Sequence, residues 1–205
     1  MADTVPLINI YIDHSNMWGG ARWASKINDP KIEDGRARLS VKNLNRILVK
    51  RRLGVDRKVV SGGVPPGMEG VWAEYQLCGY DTQRLFRDKH WREHGVDHSL
   101  IGHIWRQLAR HKGDGAEIIL VIGSGDGKTN EFGTSFFEVI EEALTRTGYE
   151  RWRVELASFD GPGPPNSPTS RRMRALVEKY SRGTFINLAD HYKSLVYHVK
   201  ETIRE

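Results

Sequence analysis

Two short runs, LINIYID (residues 7–13) and EIILVIG (117–123), constrain the fold more than anything else in the chain. Each is apolar at successive positions, so a strand built from it is apolar on both faces. Such a strand is stable only when covered on both sides, as in the middle of a parallel sheet. Around them the periodicity switches repeatedly between strand and helix. Helices are predicted over 41–52 (Val41, Leu44, Ile47, Leu48 at helical spacing), 67–80 (closed by Gly79), 99–111, 132–148 (ending at Gly148), 170–183 and 191–203. Strands are predicted over 57–63, 81–86, 152–159 and 184–188, and DGPGPPNSP (160–168) reads as a surface loop. No repeat or long linker divides the chain. The expectation is one α/β domain over residues 1–205, a three-layer α/β/α arrangement around a mainly parallel sheet.

Composition narrows the class. The 205 residues are 39% hydrophobic and 28% charged, as in ordinary globular domains. No apolar run approaches the roughly 20 residues that span a bilayer, so no membrane partner is expected. Cys78 is the only cysteine, which excludes an internal disulfide and a multi-cysteine zinc site. The start MADTVPLINIYID has neither a basic opening nor a cleavable apolar segment, and the expected location is a reducing cytoplasm. A net charge of +5 and a pI near 9.3 favour a polyanionic partner slightly. The basic segments at 56–58, 87–92, 106–112 and 170–174 also read as solvated faces.

In an open parallel sheet, ligands bind beyond the carboxyl ends of the strands. Two acids are expected there: Asp13, ending the first strand, and Asp126, just past the strand at 117–123. Asp97, in HGVDHSL, is a third candidate. At a helix start its side chain can cap free N–H groups as well as face the sheet edge. Converging carboxylates repel one another unless a divalent cation lies among them, and Mg²⁺ suits oxygen ligands.

The turn GSGDGKT (123–129) invites a second reading, a nucleotide-binding loop. That loop needs G-x-x-x-x-G-K-[ST], and counting back from Gly127 puts Ile122 where the first glycine belongs. Asp126 also places a negative charge inside the anion cradle. His90, His94 and His98 recur every four residues, with His103 nearby, but Gly95 interrupts a helical zinc arrangement. Gly123-Ser124-Gly125 is too short for a G-x-S-x-G nucleophile turn, so no serine triad is expected.

Three stretches taken together resemble the NYN domains of the PIN-like nuclease superfamily. YIDHSNMW (11–18) resembles their I/V-D-x-x-N opening. GVDHSLIGHI (95–104) resembles their G-V-D-x-x-L-x-x-D segment, and LVIGSGDGKTNEFG (120–133) their S-G-D-x-D-F motif. The order matches over well more than half of the chain. The resemblance implies a PIN-like α/β/α fold and Mg²⁺- or Mn²⁺-dependent ribonuclease activity. Asp13, Asp97 and Asp126 are then metal-binding or catalytic acids, and Asn16 orients Asp13 or the substrate phosphate. Three departures stand out: His14 replaces a common glycine, His103 replaces the last acid of the second segment, and three extra residues precede Phe132. Glu131 then stands where the third motif's second acid belongs, with Asn130 as a competing ligand.

Metal ions that neutralise a phosphodiester and activate water make this chemistry coherent. The expected substrate is RNA, most simply single-stranded, with DNA a variant. Arg22, Lys26, Arg87, Lys89 and Lys128 are candidate phosphate contacts. Trp18 and Trp23, expected in the loop after the first strand, could stack on bases or pack against the core. The alternatives are a PIN-like module that binds RNA or protein without cutting, and a nucleotide-binding protein using GDGKT.

Overall fold

The computed structural model describes residues 5–32, 36–63, 69–85, 95–113, 115–125, 133–160 and 168–199. Six strands form one parallel sheet: β1 (Leu7–Asp13), β3 (Val55–Gly63), β4 (Asp81–Leu85), β5 (Ile118–Gly123), β6 (Trp152–Ser158) and β7 (Gly183–Asn187). Their spatial order is β4-β3-β1-β5-β6-β7. The chain builds outward from β1 in one direction, returns beside β1 as β5, and builds outward in the other. The reversal makes a crevice between the carboxyl ends of β1 and β5, where neighbouring connections leave on opposite faces. The two predicted both-face apolar strands are the two that flank it.

Helices cover both faces, which makes the three-layer α/β/α arrangement. On one face α1 (His14–Asn28), α2 (Val41–Val49), α3 (Gly70–Leu77) and the single turn α7 (Tyr192–Leu195) pack on Ile8, Ile10, Ile12, Val60 and Val121. On the other, α4 (Val96–Arg110), α5 (Phe136–Thr145) and α6 (Pro168–Lys179) pack on Tyr11, Val59, Leu120, Ile122 and Leu156. Alternate residues of β1 therefore serve opposite cores, with Asn9 and Tyr11 on the α4 side. Among the described residues no helix is long and apolar enough to cross a membrane.

Several expectations need correction. Residues 14–28 form a helix, so Trp18 and Trp23 are not in a loop. Paired glycines at 19 and 20 argue locally against a helix. The tertiary fold uses Gly20 for close packing, since a β-carbon there would stand 2.7 Å from the Phe159 ring. The helix predicted over 41–52 stops at Val49. Lys50 and Arg51 take positive φ, and Arg52 turns back to the carbonyls of Leu48 and Val49 while pairing with Glu155. The helix predicted over 132–148 spans only 136–145 among the described residues, because Ser135 and Glu138 form a capping box and Arg146 is extended. The closing helix is one turn. Val196–His198 instead forms β8, antiparallel to β2 (Ala37–Leu39), with His198 bonded to Ser25 at 2.8 Å.

Arg182 ties α5 to β6 from the far side of the α6–β7 turn. Its guanidinium donates to the carbonyls of Ala143, Leu144, Tyr149 and Trp152, satisfying acceptors that the end of a helix leaves open. Arg182→Ala should therefore lower the unfolding free energy by about 2 kcal/mol. Urea denaturation reads this directly, and an unchanged midpoint would show the bonds to be dispensable.

Candidate functional site at the carboxyl edge

Asp13 ends β1 and is only 5% exposed. It is also the N-cap of α1, its Oδ1 accepting the backbone N–H of Asn16 at 3.0 Å. Strand and helix thus meet at one residue, and the helix dipole favours the negative charge held there. The Asn16 side chain points onward: its Oδ1 accepts the backbone N–H of Gly125 at 2.7 Å. One residue pair therefore binds the end of β1 to the segment leaving β5. Gly125 fits closely, because a β-carbon on it would lie 2.5 Å from Ser158 Oγ and 3.0 Å from Asn16 Oδ1. Gly125→Ala should break the Asn16 bond and cost about 1–3 kcal/mol. Chemical denaturation measures the cost, and an upfield move of the residue-125 amide proton relative to the parent protein would locate it at the lost Asn16 bond.

The strand ends align into a polar row. Asp13 pairs with Ser61, Ser61 with Gln83, and Ser158 with Asn187. Gly123 pairs with Ile12 and Ala157, so Ser124 continues the row between Asp13 and Ser158. By the pleat all six residues belong to the α4–α6 side. Below the row that face is lined by Tyr11, Val59, Leu120, Ile122 and Leu156. Asp13, Ser61, Ser124 and Ser158 are buried, and Ser61 Oγ has no hydrogen-bond partner among the described residues.

Helix α4 closes one end of the row. Ser99 donates to the Gln83 carbonyl, and the Gln83 amide donates to His103 Nε2 at 2.5 Å. The His103 proton is then on Nδ1. Burial first, then the Arg106 and Arg57 charges, push its pKa down and keep the ring neutral. Asp97 is in the first turn of α4, on the same face and at the same edge as Asp13. The capping expectation for it is corrected: the N-cap is Gly95, at φ +79°, and Asp97 stands two residues further in. An αL glycine turns the chain sharply into the helix and leaves that position without a side chain.

The other candidates divide. Arg22 places its guanidinium 4.9 Å from the Trp18 ring centroid, both half-buried on α1. Trp23 packs against the core, one of the two outcomes expected for it. Lys26 is in the last turn of α1, roughly 20 Å along the helix axis from Asp13, too far to share a phosphate with it. Asp126, Lys128, Asn130, Glu131, Arg87, Lys89, His90 and His94 lie outside the described residues. Among the described residues no group of three or more His, Cys, Asp or Glu converges on a metal position. His98 and His103, five apart on α4, face differently: one is exposed and the other buried.

Sequence reading missed the serine row and the Ser99–Gln83–His103 chain. A signal was present, since four of the strands pass from apolar residues to a polar one at or near their ends (YID at 13, VVS at 61, IGS at 124, LAS at 158). It becomes legible only once the strands are in register. His14 is buried, donor or acceptor to Tyr75 Oη at 3.2 Å, and burial lowers its pKa to about 4. It is a neutral packing group under Trp72 and Tyr75.

Oxygen donors dominate the described part of the edge: one buried carboxylate, a second carboxylate on α4, and serine hydroxyls. That set suits a hard divalent cation better than zinc. Comparison of the chain with family models, curated proteins and solved structures finds no significant match in any of the three.

Proposed function

We propose that this protein is a metal-dependent nuclease that hydrolyses RNA phosphodiester bonds at the crevice between β1 and β5. The observation that carries this reading is the placement of Asp13. It is a buried carboxylate at the switch point of a parallel sheet, bound through Asn16 to the segment that immediately precedes Asp126. Two of the three NYN-like motifs meet at that place.

Asp13, Asp97 and Asp126 would hold Mg²⁺ or Mn²⁺, with Glu131 or Asn130 completing the set. The cation supplies charge neutralisation of the phosphate and an acidified water. The chain's own residues supply position. The α1 cap fixes the Asp13 carboxylate, Asn16 holds the β5 segment against it, and the buried serines surround the carboxylate with neutral hydroxyls. Arg22 and, from outside the described residues, Arg87, Lys89 and Lys128 would attract the backbone.

Labelled RNA and DNA incubated with purified protein in Mn²⁺, Mg²⁺ or chelator test the proposal. Cleavage of RNA that needs the cation and depends on Asp13 supports it. Cleavage indifferent to chelator sinks it. The competing reading, a module that binds RNA or protein without cutting, is favoured by one feature: neutral, hydrogen-bonded His103 stands where the NYN pattern has an acid. It expects RNA retention in the same samples with no products. A half-buried, unpaired Cys78 suits a reducing cytoplasm.

A further inference from the structure

A groove of about 190 Å³ opens beside the start of α1, on the opposite face of the sheet from Ser61 and α4. Its floor is His14, the residue after Asp13, and its walls are Trp18 on α1, Val71 and Glu74 on α3, and Arg38 and Tyr197 from the β2–β8 ribbon. Arg38 and Tyr197 are register partners, so they project side by side from one face of that ribbon. Glu74 faces them. Burial and then the Glu74 carboxylate push the Tyr197 phenol up, and the Arg38 charge pulls it down, so all three groups share one space. Tyr197 is 46% exposed, a large aromatic surface left open to solvent at the groove's mouth.

We propose that this groove binds a single unpaired guanine base of an RNA strand whose phosphate lies at Asp13. The assignment rests on the nuclease reading for its polymer and on the groove for its base. Unstacked RNA bases are bound on aromatic side chains and read along their hydrogen-bonding edges. Tyr197 and Trp18 provide the aromatic surfaces, and Arg22 already lies over Trp18 at 4.9 Å, supporting it from one side. A carboxylate is matched by neighbouring donors, and guanine presents N1–H and the N2 amino group together on one edge. A guanidinium is matched by the guanine O6 and N7 acceptors. Glu74 and Arg38, of opposite charge on opposing walls, supply that complementary pair. Adenine lacks the paired donors, and pyrimidines cover less of the aromatic surface.

The test uses the full chain in chelator, so binding is read without cleavage. Short single-stranded uridine oligonucleotides carry one guanine, one adenine or neither. Affinity is measured by fluorescence anisotropy, and the indole N–H resonance of Trp18, assigned with Trp18→Phe, reports where they bind. The guanine strand should bind roughly tenfold tighter than the uridine strand and shift the Trp18 resonance. Glu74→Gln should erase that preference while leaving the residual affinity. Tyr197→Ala should weaken all three strands, by roughly tenfold for guanine. Both substitutions are at exposed positions, and circular dichroism checks that they fold. Equal binding of the three strands, a preference for adenine, a guanine preference that survives Glu74→Gln, or an unmoved Trp18 resonance would each overturn the assignment. Failure of the nuclease reading shows elsewhere, as absence of products with Mn²⁺, and leaves these binding results interpretable.

Discussion

Asp13→Asn should lower cation-dependent RNA hydrolysis by at least about 10²–10³-fold, the scale on which loss of one preorganised electrostatic contact is felt, with little change in thermal midpoint. The separation of the two effects follows from the two jobs of the side chain. As N-cap of α1 it offers an oxygen to the Asn16 N–H, and asparagine caps helices about as well as aspartate. As the proposed metal ligand it would offer negative charge, which asparagine lacks. Removing a buried charge also removes its desolvation cost, so the folded state need not suffer. Asp13→Ala makes the contrast, because it loses charge and cap together and should cost about 1 kcal/mol in addition. Differential scanning fluorimetry and a gel-based cleavage assay on the two variants read both quantities. Full activity in Asp13→Asn would remove the residue from the chemistry and the present functional reading with it.

Gly183→Ala and Gly102→Ala should move stability in opposite directions although the chemical change is the same. Gly183 opens β7 directly after the turn from α6. A β-carbon there would run into the carbonyl oxygen of Val177 and stand 2.8 Å from its carbonyl carbon. Those are backbone atoms at the end of α6, so no rotamer change can yield. The turn is itself fixed by the Gly183 N–H to Tyr180 and by Val154 N–H to the Arg182 carbonyl. Either α6 unwinds or β7 leaves β6, and the cost should be about 3 kcal/mol or more. Gly102 is inside α4 with nothing within 4 Å of a β-carbon. Alanine there only restricts the unfolded chain and should stabilise by about 0.5–1 kcal/mol. Equilibrium urea unfolding of both variants decides it; a Gly183→Ala protein as stable as the parent would mean the α6–β7 turn is not packed as described.

LINIYID and EIILVIG were readable as central strands because burial on both faces leaves a local mark in composition. The amphipathic stripe of α4 was readable for the same reason. Helix α1 was not, because its glycine pair is unfavourable locally and is made useful by Phe159, far away in the chain. Strand β8 was not, because its three residues, Val196–His198, owe their conformation to β2, well over a hundred residues earlier.

The sequence by itself determined which segments form the six strands of the main sheet, that this sheet is parallel and covered on both faces, and that Asp13 ends the first strand. These follow from periodicity and from the solvation of apolar side chains, which are properties of short stretches. Only the tertiary structure decided that Asn16 reaches Gly125, that six strand ends register into one polar row, and that Arg38, Glu74 and Tyr197 face one another across a groove. Those relations depend on strand register and on which helix covers which face, and both are set by the packing of residues distant in the chain.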